Sequence, residues 1–109
     1  MPVNEADWKL LRKLLPDWQR RFMERLIADY IKLLQSDTPS EDRFWELEER
    51  LRRDVRKTGV CCEMRRSLMH QNLANLLREK AISIEELSVF SEQTQERVRF
   101  WAGLDGEDT

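Results

Sequence analysis

The sequence is poor in the residues that punctuate and staple small domains: three glycines, three prolines, two cysteines and one histidine among 109 residues. So little Gly and Pro excludes collagen-like and Pro/Gly-rich disordered chains. The three glycines, Gly59, Gly103 and Gly106, form no phosphate loop, which needs closely spaced glycines ahead of a helix start. No apolar run approaches the ~18 residues of a membrane-spanning helix. The opening MPVNEADWKLL is acidic and meets charge again at Arg12 and Lys13, unlike a secretory leader. Cys61 and Cys62 are neighbours, and a bond between adjacent residues closes almost no loop and fits disulfide geometry poorly. A reducing, cytoplasmic setting is therefore expected.

What is present is charge and helical periodicity. Charged residues make up 37% and apolar residues 40% of the chain, with a mean hydropathy of -0.71. Nineteen Lys and Arg against 21 Asp and Glu give a formal charge of -2. The balance is uneven along the chain: residues 1–78 hold 16 basic and 13 acidic side chains, residues 79–109 three and eight. That asymmetry falls well short of a basic nucleic-acid footprint. Four Trp and four Phe give a chain of this size material for one core, each aromatic burying about 150–250 Å².

Trp18, Phe22, Met23, Leu26, Ile27, Tyr30, Ile31, Leu33 and Leu34 recur at spacings of three and four, which predicts an amphipathic helix over Asp17–Gln35. Trp8, Leu11, Leu14 and Leu15 predict a shorter helix from about Glu5, which Pro16 either ends or kinks into the next. Thr38-Pro39-Ser40-Glu41 reads as a capping box. It opens a helix to about Lys57 with Phe44, Leu47, Leu51 and Val55 inward and Gly59 as its stop. A helical pattern returns at Ser67 with Leu68, Met69, Leu73, Leu76 and Leu77. Ser83-Ile84-Glu85-Glu86 is a second capping box, opening a short helix to Phe90, and Ser91 caps a last one to Trp101. No segment alternates with period two. The expected fold is all-α: a single domain over 1–109, an irregular bundle of five to six helices. Asp17–Gln35, Thr38–Lys57 and Ser67–Lys80 supply its core, and the termini, 1–4 and 103–109, are frayed.

No catalytic, cofactor-binding or metal-ligating set emerges. A structural zinc site needs four ligands, usually in paired short spacings, whereas Cys61 and Cys62 are adjacent and His70 is the only histidine. A redox or metal sensor at the two cysteines is the remaining version of that idea. No Gly-x-Ser-x-Gly turn surrounds a serine. The carboxylates lie close to Arg or Lys at helical spacing, as in Glu46/Arg50 and Glu49/Arg53, where they support a helix surface. The chain is expected to be no enzyme.

Two binding readings remain. Arg50, Arg52, Arg53, Arg56 and Lys57, followed by Arg65 and Arg66, form a basic face able to contact phosphates. The same cations also complement the negative end of a helix dipole, and Glu46, Glu48 and Glu49 lie just upstream. The last two helices resemble a helix-turn-helix in spacing only. The candidate recognition helix opens Glu92-Gln93-Thr94-Gln95-Glu96, with carboxylates where phosphates would lie. The other reading rests on paired aromatics. Trp45 stands beside Phe44, and Phe100 beside Trp101; two adjacent rings cannot both enter one small core, and large exposed aromatics are favoured at interfaces. The expectation is a non-enzymatic protein-protein interaction module, a regulator or adaptor or a homodimer, touching its partner through Trp45, Phe100 and Trp101. A nucleic-acid-associated regulator using the basic face is the alternative, and no membrane role is expected.

Overall fold

The computed structural model describes residues 3–103 as five α-helices with no strand among them, in a body of 51 × 33 × 20 Å. The helices are α1 (Glu5–Leu34), α2 (Ser40–Asp54), α3 (Met69–Arg78), α4 (Ile84–Leu87) and α5 (Glu92–Trp101), with a 3₁₀ turn at Arg66–Leu68 before α3. The core comprises the first half of α1 (Trp8, Leu11, Leu15, Trp18, Phe22), α3 (Met69, Leu73, Ala74, Leu76) and the α4–α5 region (Ala81, Ile82, Leu87, Phe90, Val98). Trp18 and Phe90 join the two sides, with ring centroids 6.3 Å apart.

Pro16 neither ends nor divides α1, which runs unbroken for 30 residues. An interior proline costs about 3 kcal/mol. Leu11 and Leu15 before it and Trp18 and Phe22 after it all bury in the same core, so packing on both sides outweighs the lost hydrogen bond. At the N-terminus Asn4 accepts the Asp7 N–H at 3.1 Å and Val3 packs against the core. At the other end Gly103 N–H bonds the Phe100 carbonyl at 3.1 Å; the remaining residues expected to fray, 1–2 and 104–109, lie outside the described residues.

The second half of the bundle departs from the periodicity. The helix expected from Thr38 begins at Ser40, with Pro39 at the cap and no side-chain cap. Thr38 Oγ1 instead accepts from Ser36 Oγ at 3.0 Å, inside the connecting turn. The row expected to face inward is exposed: Phe44 63%, Leu51 41% and Val55 51%, with Leu47 half-buried. α2 packs on α1 alone among the main pairings, while α3 packs on α5. α2 therefore supplies no apolar residue to the core. Its one buried residue is Asp54.

Gly59 is not a helix stop, since α2 has already ended at Asp54. A Cβ at Gly59 would lie 2.8 Å from Cγ of the buried Phe22 ring, so the glycine is there for close approach. Glu79 pins the same loop, accepting the N–H groups of Thr58 and Gly59 at 2.9 and 3.0 Å. Arg21 ties α1 to α4 through Glu86 at 2.6 Å and the Ala81 carbonyl at 2.7 Å. Ser83 forms the expected capping box with Glu86.

α3 ends in a reciprocal pair of bonds, Ala81 N–H to the Leu76 carbonyl at 2.9 Å and Lys80 N–H to Leu77 at 3.1 Å. This places Lys80 at φ 62°, a conformation usually reserved for glycine at this cap position. Lys80→Gly is expected to stabilise the fold by about 0.5–1 kcal/mol, the relieved left-handed strain less glycine's larger unfolded-state entropy. A higher Tm checks it; an unchanged or lower one would show that the lysine side chain contributes more than its backbone costs.

Candidate functional site

The second half of α1 and all of α2 form a helical hairpin that stands out from the core as an arm. Two side-chain bonds fix its register. Tyr30 Oη donates to Asp54 Oδ2 at 2.6 Å near the base, and Arg43 Nη1 donates to the Leu34 carbonyl at 2.6 Å near the tip. With α1 and α2 running antiparallel, helical spacing puts Met23, Ile27, Ile31 and Leu34 on one side of the arm. Phe44, Leu51 and Val55 fall beside them, and Trp45 lies at the outer edge. All eight are exposed, from 37% at Met23 to 64% at Trp45. Phe44 and Trp45 meet edge to face, 5.2 Å between centroids. At the base the two helices leave a groove of about 190 Å³ lined by Met23, Leu26, Ile27, Leu51, Val55 and Val60, with Tyr30 and Asp54 at its wall.

Asp54 holds this base together. It is 3% exposed and takes Tyr30 Oη, Lys57 Nζ at 3.2 Å and Arg53 Nε at 3.3 Å. Burial by itself would raise its pKa, but the hydrogen bonds from Tyr30, Lys57 and Arg53 together hold it below the usual carboxylate range. Burial, and then the same bond to Asp54, push the Tyr30 phenol up to about 12. The signs follow. The Asp54 contribution is present above the ordinary carboxylate pKa and is lost as pH falls through its depressed value. The Tyr30 contribution is present below pH ~10 and is lost as pH rises towards about 12. Tyr30→Phe should cost about 1–2 kcal/mol at neutral pH and remove the Tyr30 share of the alkaline loss, leaving that of the Cys62 thiol. Urea unfolding at neutral and alkaline pH reads both, and an alkaline limb unchanged in the variant would contradict the assignment.

The basic run is largely neutralised within its own neighbourhood. Arg50 pairs with Glu46 at 3.1 Å, Arg52 with Glu48, Arg53 and Lys57 with Asp54, and Arg65 with Glu63 at 2.8 Å. Arg66 pairs with Glu5 at 3.1 Å and lies over the Trp8 ring. Among the described residues only Arg56 of that run stands in no ion pair. These cations lie on α2 and the loop after it, with Arg66 docked on the start of α1; Arg52, Arg53 and Arg56 sit together beside Glu49, and two of those three are already in ion pairs.

At α5 the buried Asp7 carboxylate of α1 occupies the helix N-terminus. It accepts Ser91 N–H at 3.1 Å, Ser91 Oγ–H at 2.6 Å and Thr94 Oγ1–H at 2.5 Å. A negative charge already seated there opposes a phosphate, and α4 is a single turn. Phe100 and Trp101, 69% and 47% exposed, end the helix that packs on α3, a different part of the fold from Trp45.

Cys61 is exposed and Cys62 half-buried, both free. Burial, and then Cys61 and Glu79, push the Cys62 thiol up to about 11, which leaves little thiolate at neutral pH. His70 is held below its ordinary pKa by burial and by Arg97, so its imidazole is neutral. Among the described residues no three His, Cys, Asp or Glu side chains lie together as metal ligands. No described helix is long and apolar enough to cross a membrane.

No family model, curated protein or solved structure matches this chain. The residues themselves therefore carry the functional argument. Sequence periodicity singled out Trp45 on the arm but assigned Phe44, Leu51 and Val55 to the core. A signal for the exposed row was present in the adjacent apolar pairs Phe22-Met23, Leu26-Ile27, Tyr30-Ile31 and Leu33-Leu34. A stripe that wide serves two contacts, and α2 fills only one.

Proposed function

We propose that this protein is a non-enzymatic protein-protein interaction module, a regulator or adaptor. Its docking surface is the apolar side of the α1–α2 arm, and its partner presents an apolar helical face of its own. One observation carries the reading. Seven large apolar side chains stand exposed along one side of a hairpin, with Trp45 at its outer edge, while the core beside it closes without them. Monomeric proteins rarely leave so large a contiguous apolar patch in water. Trp45 belongs to that surface, and Phe100 and Trp101 offer a second, separate contact. The adjacent free thiols fit a reducing, cytoplasmic setting.

The alternative, a nucleic-acid regulator using Arg50, Arg52, Arg53, Arg56, Lys57, Arg65 and Arg66, is weakened by the ion pairs that engage six of these seven cations. Two variants separate the readings: Leu51→Glu on the apolar side of the arm, and Arg52→Glu with Arg53→Glu on the basic face. A protein complex that survives nuclease and is lost only with Leu51→Glu is the expected result. Nucleic acid that co-purifies and is lost on charge reversal would overturn it.

A further inference from the structure

Outside the ion-paired surface, the Asp7 cluster, the exposed aromatics of α5 and the apolar side of the arm differ in what they leave free. Asp7 is fully used in capping α5, and nothing indicates what would cover Phe100 and Trp101. The arm goes further, on area, charge and shape.

Taking roughly 150–250 Å² for a large side chain, the exposed fractions along the arm amount to on the order of 600–1,000 Å² of apolar surface per copy. A standard stable interface takes about 800 Å² from each partner, so the arm with its polar rim is sufficient alone. The charges do not select an oppositely charged partner. From Met23 to Leu34 the helix carries Glu24, Arg25, Asp29 and Lys32, which cancel. Over residues 40–57, six acidic side chains (Glu41, Asp42, Glu46, Glu48, Glu49 and Asp54) balance six basic ones (Arg43, Arg50, Arg52, Arg53, Arg56 and Lys57). Two like copies meet there without net repulsion, and a polyanion or an anionic membrane gains little. In shape the arm has a ring at one end and a groove at the other. Phe44 projects near the tip, one turn into α2, and the groove between Met23, Ile27, Leu51 and Val55 lies at the base. Its volume of about 190 Å³ exceeds the ~150 Å³ cavity known to take benzene.

We infer that the partner is a second copy of this chain, its arm laid antiparallel on the first so that Phe44 of each copy enters the α1–α2 groove of the other. The two-fold axis lies in the interface and runs across the hairpin, which places the two cores at opposite ends of a four-helix bundle. This inference rests on the arm being a docking surface and adds what docks there.

The test is sedimentation equilibrium of the full chain with Phe44→Ala and Ile27→Glu, alongside circular dichroism of each variant. Both side chains are exposed, so the helical signal of the dilute protein should be unchanged. The expected result is a dimer whose dissociation constant rises at least about tenfold with Phe44→Ala, and which Ile27→Glu renders monomeric. In a background with Cys61→Ser and Cys62→Ala, mixing Phe44→Cys with Val55→Cys should give the mixed disulfide dimer in preference to either self-linked one. A dimer indifferent to Phe44→Ala, or one that crosslinks Phe44→Cys to itself, overturns the arrangement. A monomer at every concentration overturns the second copy as partner. In that case a lysate partner lost with Ile27→Glu would leave the interaction reading standing. Failure to bind any protein, or binding only to anionic vesicles, would remove that reading too.

Discussion

Asp7→Ala should cost roughly 3–5 kcal/mol, the largest effect expected of any single polar substitution in this chain. Its carboxylate takes three protons from α5, those of Ser91 N, Ser91 Oγ and Thr94 Oγ1. Asp7 and Thr94 are only 5% and 2% exposed, so water replaces the lost acceptor poorly. Each buried donor left without a partner costs about 1–3 kcal/mol, and the carboxylate also offsets the positive end of the α5 dipole. Against a total stability of about 5–15 kcal/mol for a small domain, the loss threatens the fold. Asp7→Asn keeps one acceptor and should cost clearly less. Urea denaturation gives the free energies. Hydrogen exchange gives the location: protection should fall first at Ser91 and Thr94 and then along α5. A loss below ~1 kcal/mol, or one spread evenly over the chain, would show that α5 is held by Val98 and its neighbours alone.

Leu76→Ala and Leu51→Ala should separate by several kcal/mol although both leucines sit on helical apolar stripes. Leu76 is fully buried in the core and Leu51 is 41% exposed on the arm. A buried Leu→Ala leaves a cavity and costs about 2–5 kcal/mol. At Leu51 the monomer should lose less than about 1 kcal/mol, because much of the side chain is already in water and no void is left. The pair also reports on association. If the arm is covered by a second copy, the Leu51→Ala loss grows with protein concentration while the Leu76→Ala loss relative to wild type does not. Chemical denaturation at two widely separated concentrations reads both. Equal losses at high dilution would place α2 in the monomer core, against the exposure of Phe44, Leu51 and Val55.

Those two leucines also mark how far the sequence could be read. Spacings of three and four over Trp18–Leu34, the Ser83 capping box and the Ser91 cap were local signals, decided by backbone geometry within a turn, and each stands in the structure. The continuity of α1 through Pro16 was not local. It depends on Leu15 and Trp18 finding the same core, and that core is built by α3 and α5, more than 50 residues further on. The placement of α2 failed for a related reason. Periodicity shows that a helix has an apolar side; it does not show whether this chain or another molecule covers it.

The chemistry divides the same way. Composition and spacing point away from a metal or nucleophilic site, because too few Cys and His residues stand at workable spacings. The Glu46–Arg50 pair was legible at its helical spacing and forms, whereas Arg53 turns from Glu49 to the buried Asp54; neither the Arg66–Glu5 pair nor the seat of Asp7 on α5 was legible, since they join residues 61 and 84 positions apart. The all-helical class and helix starts such as Ser83 and Ser91 were thus determined by the sequence itself, through backbone hydrogen bonding and caps that act over three or four residues. Only the tertiary structure decided which apolar stripes share the core and which side of the arm is left to water. Burial is a property of the whole packed chain, and the α3–α5 core closes on the first half of α1 before its stripe is used up.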